Sequence, residues 1–207
     1  MTAIALFDPV SSGEKLKSAA RNAGYKVVAV FTAPLEFYEE VYHAKKEDLC
    51  DGCDAVVIAH DKEEILQKLR ALPMTICAAF AASEGGVEAA DWIASTLKFW
   101  GNPLAFSKAR RDKGEMRKLL KKSELSCPDF AICCKEKEVV QFAKNHLFPL
   151  IIKTPKGVMT SQVYECENLK DLLHGFQSIL GKPDLPAPMQ GRFPHGDILP
   201  IPIENSS

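Results

Sequence analysis

Short apolar runs alternate with amphipathic stretches through the first half of the chain. Each apolar run has the length of one strand, and in the stretches between them apolar residues recur at helical spacing. The predicted strands lie at 4–7, 26–31, 54–59 and 75–80. Strands without polar alternation, separated by amphipathic helices, are typical of a parallel sheet covered on both faces. The pattern predicts a Rossmann-like α/β domain over residues 1–104.

The turn after the first predicted strand carries no dinucleotide signature. Ser11 and Glu14 have the spacing of a capping box and predict that a helix begins there. Residues 8–13 contain one glycine, Gly13, whereas a dinucleotide fingerprint uses glycines at several positions to let the backbone approach a pyrophosphate. This argues against chemistry with NAD, although a helix N-terminus at this point would suit a carboxylate or a phosphate.

The pattern changes after residues 102–103. The predicted elements are a basic helix at 108–122, strands at 130–134, 150–154 and 162–166, and helices at 136–145 and 169–180. The connection over residues 155–161 is too short for a parallel crossover and favours an antiparallel strand pair. We therefore predict a small α+β domain over residues 105–182, followed by an irregular, proline-rich tail over residues 183–207.

Composition narrows the class of protein. The 207 residues are 46% hydrophobic and 26% charged, with a net charge of -1, which is typical of a folded globular protein. The sequence lacks an apolar run of the roughly 18–20 residues that span a bilayer, and its first residues do not resemble a signal peptide. We expect a cytoplasmic protein with no membrane partner. The basic helix has no interleaved aromatic residues, so we also expect no nucleic-acid partner.

Seven cysteines, an odd number without a signal peptide, favour reduced thiols. Cys50 and Cys53 form a C-x-x-C pair, which a metal site or a redox site would use, but a second ligand pair is missing and the motif precedes a predicted strand. A loop beside a strand is the alternative. Cys77 and Cys133 lie in apolar runs and predict core positions. We assign no metal ligand.

Two lysines have positions suited to phosphate binding. Lys153 ends an apolar run and precedes a loop containing Gly157, so that its ammonium group and the loop amides could meet a phosphate together. Lys113 lies in the basic helix, where the alternative interpretation is a solvated helix face.

The order of several segments resembles the ATP-grasp carboxylate–amine ligases. The segments are 83–91, 101–103, 107–113 and 148–153. The most similar branch has an amino-terminal pre-ATP-grasp domain, as in L-amino-acid ligases and biotin carboxylase. The resemblance runs from about Ile4 to Leu180. It implies a Rossmann-like pre-ATP-grasp domain followed by the small α+β A subdomain of the ATP-grasp fold.

The resemblance also implies roles for individual residues. Lys113 and Lys153 match the two lysines that bind the ATP phosphates, and residues 154–162 match the mobile loop over the γ-phosphate. The cofactor-binding residues implied in that loop are Gly157, Thr160 and Ser161, and a substrate cleft is implied at Glu84, Gly85 and Glu88. In such enzymes ATP phosphorylates a carboxylate and an amine attacks the acylphosphate.

The chain departs from the family in two ways. Its loop retains one glycine, Gly157, and after Leu180 the sequence lacks the second ATP-grasp half with its magnesium ligands. Glu204 and Asn205 are adjacent residues near the terminus and do not replace that half. We therefore expect a truncated ligase with no catalytic residue and at most weak ATP binding. Mg2+ is expected for the family, and a small carboxylate substrate only if the missing half is supplied.

Two other interpretations remain open. The α/β unit could serve as a non-catalytic interaction module that forms a homodimer, with apolar residues of the tail as cover. A free-standing Rossmann-type enzyme would use Asp8, His43 and His60 as its polar residues, but their spacing specifies no site.

Overall fold

The computed structural model describes residues 2–157, 162–180 and 201–205. The chain divides into two compact units, Met1–Ser107 and Lys108–Ser207. None of the helices in the described residues has both the length and the hydropathy of a membrane-spanning segment.

The first unit is built around a parallel sheet. Its strands are β1 (Thr2–Phe7), β2 (Lys26–Phe31), β3 (Ala55–Ile58) and β4 (Thr75–Ala81). Its helices are α1 (Glu14–Asn22), α2 (Leu35–Tyr42), α3 (Lys46–Cys50), α4 (Lys62–Arg70) and α5 (Val87–Thr96), with short 3-10 turns at Ser11–Gly13, Glu84–Gly86 and Leu104–Phe106. The strand order is β3-β2-β1-β4, and the pairings are parallel, as predicted.

Helices cover both faces of this sheet. Ile65 and Leu69 of α4 and Ile93 of α5 pack on one face, and Ala20 of α1 packs against Leu6 and Val27 on the other. These side chains are almost fully removed from water, and that burial is the main term that stabilises the unit.

Two helices of the first unit begin in different ways. Asp61 caps α4, since its side chain accepts from the backbone N–H groups of Glu63 and Glu64. The capping box expected at Ser11 does not form, because Ser11 adopts a positive φ of 52° within a 3-10 turn. The N-cap residue of α1 is Gly13, which has no side chain to cap the helix, and α1 begins at Glu14.

The second unit is an α+β structure with an antiparallel sheet. Its helices are α6 (Ser107–Arg111, beginning on the last residue of the first unit), α7 (Lys113–Lys122), α8 (Glu136–Ala143) and α9 (Leu169–Ile179). Its strands are β5 (Phe130–Cys133), β6 (Leu150–Lys153), β7 (Val163–Cys166) and β8 (Ile201–Asn205). The sheet order is β5-β8-β6-β7, and β6 and β7 form the predicted antiparallel pair.

The basic stretch forms two helices where the sequence predicts one. Asp112 separates α6 from α7 and caps α7, because its side chain accepts from the N–H groups of Gly114 and Glu115 at 2.9 and 3.1 Å. The first four N–H groups of a helix have no partner within the helix, and the Asp112 side chain accepts from two of them.

The irregular tail expected over residues 183–207 is wrong for its last part. Residues 201–205 form β8, which pairs with both β5 and β6 and lies inside the sheet. Ile201 and Ile203 are 1% and 0% exposed and join the core formed with α8 and α9. Burial of these two side chains holds the strand in place. Residues 183–200 lie outside the described part of the structure.

Replacing Ile203 by alanine tests the placement of β8. The change leaves a cavity in the core, so we expect it to lower the free energy of unfolding by about 2–5 kcal/mol, measured by urea denaturation. Val163→Ala is the control, since Val163 lies in β7 of the same sheet but is 42% exposed. Equal effects of the two changes would contradict a buried β8.

Candidate functional site

Lys153 lies at the end of β6, against the buried carboxylate of Glu204 on β8. Its Nζ forms an ion pair with Oε1 of Glu204, and the two side chains are 13% and 6% exposed. Antiparallel pairing brings the residues together, since Glu204 is opposite Ile151. Both side chains point to the sheet face opposite the Ile152 and Ile203 core, because residues alternate faces along a strand.

Arg117 of α7 contacts the other oxygen of the same carboxylate. Its Nε and Nη2 lie 2.8 and 2.7 Å from Oε2 of Glu204, and its side chain is 16% exposed. Gly114 allows α7 to approach the sheet, because a Cβ there would lie 3.0 Å from Cδ1 of Ile132. Arg117 is not among the site residues predicted from the sequence. Its position one turn after Lys113, on the same side of a helix, was the available signal.

Lys113 lies against the segment that follows Lys153. Its backbone N–H donates to the carbonyl of Pro155 at 2.9 Å. Its Nζ donates to the carbonyl of buried Gly157 at 3.0 Å. The structure therefore places both predicted lysines and Gly157 around the end of β6. Thr160 and Ser161 lie outside the described residues.

The charges of this cluster favour an anion over a metal cation. Lys153 and Arg117 share one carboxylate, so the group carries a net positive charge in a setting with little water. Magnesium takes oxygen ligands. The carboxylate of the cluster, Glu204, already uses both oxygens for the two cations. These residues therefore do not suit magnesium, and across residues 2–157, 162–180 and 201–205 no group of three or more His, Cys, Asp or Glu residues could hold a metal.

One of the candidate substrate residues of the first unit, Gly85, lies beside a second buried carboxylate. Glu84 and Gly85 belong to the 3-10 turn after β4, and Glu88 lies in the first turn of α5. Glu84 is exposed and Glu88 is half-buried. Gly85 lies against Asp8, because a Cβ there would be 2.9 Å from Oδ2 of Asp8.

Asp8 directly follows β1 and connects the segment after β1 to the segment after β2. It is 1% exposed and accepts from the N–H and the hydroxyl of Thr32 at 2.7 and 2.8 Å, and from the hydroxyl of Tyr38 at 2.6 Å. Burial, followed by the charge of Asp8, raises the pKa of Tyr38, so the phenol keeps its proton and remains a donor. Asp8 therefore has a structural role in joining the β1 and β2 ends.

The histidines that a free-standing enzyme would use have local roles. The Nδ1 of His60 lies 3.0 Å from the carbonyl of Thr32, and the side chain is exposed. His43 follows α2 with a positive φ of 52°, which ends the helix in the left-handed region. These positions give the free-standing enzyme interpretation no support.

The cysteines form no disulfides, and burial raises the pKa of some of their thiols. All seven are free thiols; Cys50 ends α3 and Cys53 lies in the loop before β3. Burial raises the pKa of Cys53 and raises the pKa of Cys133 to about 12, so these thiols stay protonated at neutral pH. Cys133 is buried as predicted, whereas the core position expected for Cys77 is wrong, because Cys77 is exposed.

Comparison with known proteins gives both a sequence relative and structural relatives. The chain is 29% identical over 185 residues to dapdiamide A synthase from Enterobacter agglomerans, covering 87% of this chain and 42% of that protein. No family model matches the chain.

Two solved structures share the fold. The L-amino acid ligase of Bacillus licheniformis has a TM-score of 0.66 at 14% identity, covering 99% of this chain and 44% of that chain. The biotin carboxylase domain dimer of Hydrogenobacter thermophilus 2-oxoglutarate carboxylase, in complex with MgADP, ADP and bicarbonate, has a TM-score of 0.63 at 14% identity, covering 98% and 44%.

These comparisons confirm the predicted resemblance. The fold, a parallel α/β unit followed by an α+β unit, is that of the amino-terminal portion of ATP-grasp ligases. The chain spans less than half the length of the relatives that it matches.

Replacing Tyr38 by phenylalanine tests the structural role of Asp8. The change removes one donor from a buried carboxylate, so we expect the free energy of unfolding to fall by about 1–3 kcal/mol. The measurement is urea denaturation of the two proteins at neutral pH. Tyr25→Phe is the control, because Tyr25 is 39% exposed. An unchanged stability for Tyr38→Phe would contradict the assignment.

Proposed function

We propose that this chain is an ATP-grasp ligase-like protein whose second unit binds the phosphates of ATP through Lys113 and Lys153. The contact of Lys113 with Pro155 and Gly157, just after Lys153, is the observation that carries this proposal. It brings two cations from distant parts of the sequence to one end of β6. Ammonium groups at such a position offset the charge of a phosphoryl group.

The names of the relatives support carboxylate–amine ligation as the reaction of the complete enzyme. Dapdiamide A synthase and an L-amino acid ligase are both similar to this chain. In the proposed reaction a carboxylate oxygen attacks the γ-phosphorus of ATP and ADP leaves. An amine nitrogen then attacks the acyl carbon, phosphate leaves, and the nitrogen loses a proton. Lys113 and Lys153 would stabilise the charge on the transferring phosphoryl group.

For the 207-residue chain by itself we propose weak ATP binding without ligation. Lys153 already has a carboxylate partner in Glu204, which a phosphate would have to replace. Among the described residues, the cluster of Lys153, Arg117 and Glu204 also offers no free carboxylate to magnesium, the metal that the resemblance implies, because Glu204 is engaged by two cations.

Replacing Lys153 by alanine tests the phosphate site. We expect isothermal titration of the intact chain with ATP to give weak binding, and the variant to lose it by at least about tenfold, as removal of a charge-assisted contact predicts.

Lys118→Ala is the matched control for this experiment. Lys118 lies on α7, but its side chain is 56% exposed and pairs with Glu115, so we expect ATP affinity to be retained. If Lys153→Ala bound ATP as the unaltered chain does, Lys153 would not belong to the site.

A homodimerising module is the second candidate function, supported by an apolar surface on the first sheet. Val56, Ile58 and Phe80 are 37%, 37% and 46% exposed. Phe80 pairs with Leu6, and Val56 and Ile58 alternate with buried Val57, so these side chains lie on the face that α1 packs on. Val56 and Ile58 lie on β3 and Phe80 on β4, at the two opposite edges of the sheet. Exposed apolar side chains that share a face favour protein contact, and one structural relative is described as a dimer.

Sedimentation velocity over a range of concentrations tests this candidate. We expect the sedimentation coefficient to rise with concentration, and Phe80→Asp to abolish the rise, because a buried unpaired charge would oppose association. Leu147→Asp is the control, since Leu147 lies in the second unit and is already 89% exposed. A monomer at all concentrations would eliminate the dimer.

A further inference from the structure

We propose that Glu204 is an internal counter-ion of the phosphate site, which a phosphate must displace from Lys153 and Arg117 in order to bind. The inference rests on the proposed function, because it concerns the regulation of the same site. It adds Arg117 to Lys113 and Lys153 as a third cation of that site. It also means that the carboxylate of Glu204 competes with a phosphate for Lys153 and Arg117.

The geometry makes the carboxylate and a phosphate alternatives for the same donors. Oε1 of Glu204 pairs with the ammonium of Lys153, and Oε2 accepts two hydrogen bonds from the guanidinium of Arg117 at 2.8 and 2.7 Å. Carboxylate and phosphate oxygens both form charge-assisted hydrogen bonds with such groups. A phosphate seated on Lys153 and Arg117 would therefore need the positions that the Glu204 oxygens hold.

The charges of the cluster favour replacement of the Glu204 carboxylate by a phosphate. In this cluster the two cations Lys153 and Arg117 pair with a single carboxylate, that of Glu204. The three side chains together therefore carry one net positive charge. A phosphate group with roughly two negative charges compensates both cations. Because the three side chains are only 6–16% exposed, water screens these interactions weakly.

Displacement of the side chain does not require loss of the strand. β8 is held by its backbone pairing with β5 and β6 and by the buried side chains of Ile201 and Ile203 on the opposite face of the sheet. The carboxylate can thus leave Lys153 while the core remains intact. The contact would keep the affinity for phosphate low until a ligand with enough negative charge arrives.

Calorimetric titration of Glu204→Gln with inorganic pyrophosphate and with ATP tests this inference. The variant keeps the shape of the side chain and removes its charge. We expect it to bind both ligands about tenfold more tightly than the unaltered chain, the equivalent of about 1.4 kcal/mol. Glu115→Gln is the control, because Glu115 is a half-buried acid on α7 that pairs with Lys118, and its removal should leave affinity within about twofold.

The same series separates this inference from the proposed function. If ATP binding depends on Lys153 but Glu204→Gln binds no more tightly, or more weakly, Glu204 orients the cations and the inference is overturned alone. If neither protein binds pyrophosphate or ATP, both proposals fail. Glu204→Asp provides a second variant should the glutamine protein not fold. Its shorter side chain loosens the contact with Lys153, and unchanged or weaker affinity would again overturn the inference.

Discussion

The second unit depends on one buried carboxylate and the two cations that surround it. Glu204 is removed from water, a state that is stable only where charged partners and hydrogen bonds replace the lost solvent. Lys153 supplies one partner from β6 and Arg117 supplies the other from α7. Strand pairing and helix packing must both be correct for the three groups to meet, and the same contact determines how much positive charge is left for a ligand.

The first unit also contains a buried carboxylate, that of Asp8, at one end of its sheet. Asp8 accepts hydrogen bonds from Thr32 and Tyr38, which fixes the ends of β1 and β2 relative to each other. The hydrogen bonds that Asp8 accepts from Thr32 and Tyr38 come from neutral groups, whereas those that Glu204 accepts come from cations, so the two buried carboxylates have different chemical consequences. The first maintains a structure, whereas the second lies where an anion could compete for its partners.

Local patterns predicted much of the fold and some of the candidate site. The parallel strands of the first unit and the β6–β7 pair were found from apolar runs and connection length, since these depend on residues close in sequence. β8 was missed because Pro202 interrupts a short run, and proline is unusual inside a sheet. In the structure Pro202 lies opposite Ile132 of β5, just before the pairing with β6 begins at Ile203.

Three features could be predicted without the structure: the α/β character of the first unit, the antiparallel pair of the second, and the order of segments that resembles ATP-grasp ligases. They are predictable because periodicity and segment order are properties of neighbouring residues. The contacts of Glu204 with Arg117 and Lys153 depend on the folded chain, since their partners are separated in sequence by 87 and 51 positions. Contacts over such distances arise from sheet pairing and helix packing, which no local pattern encodes.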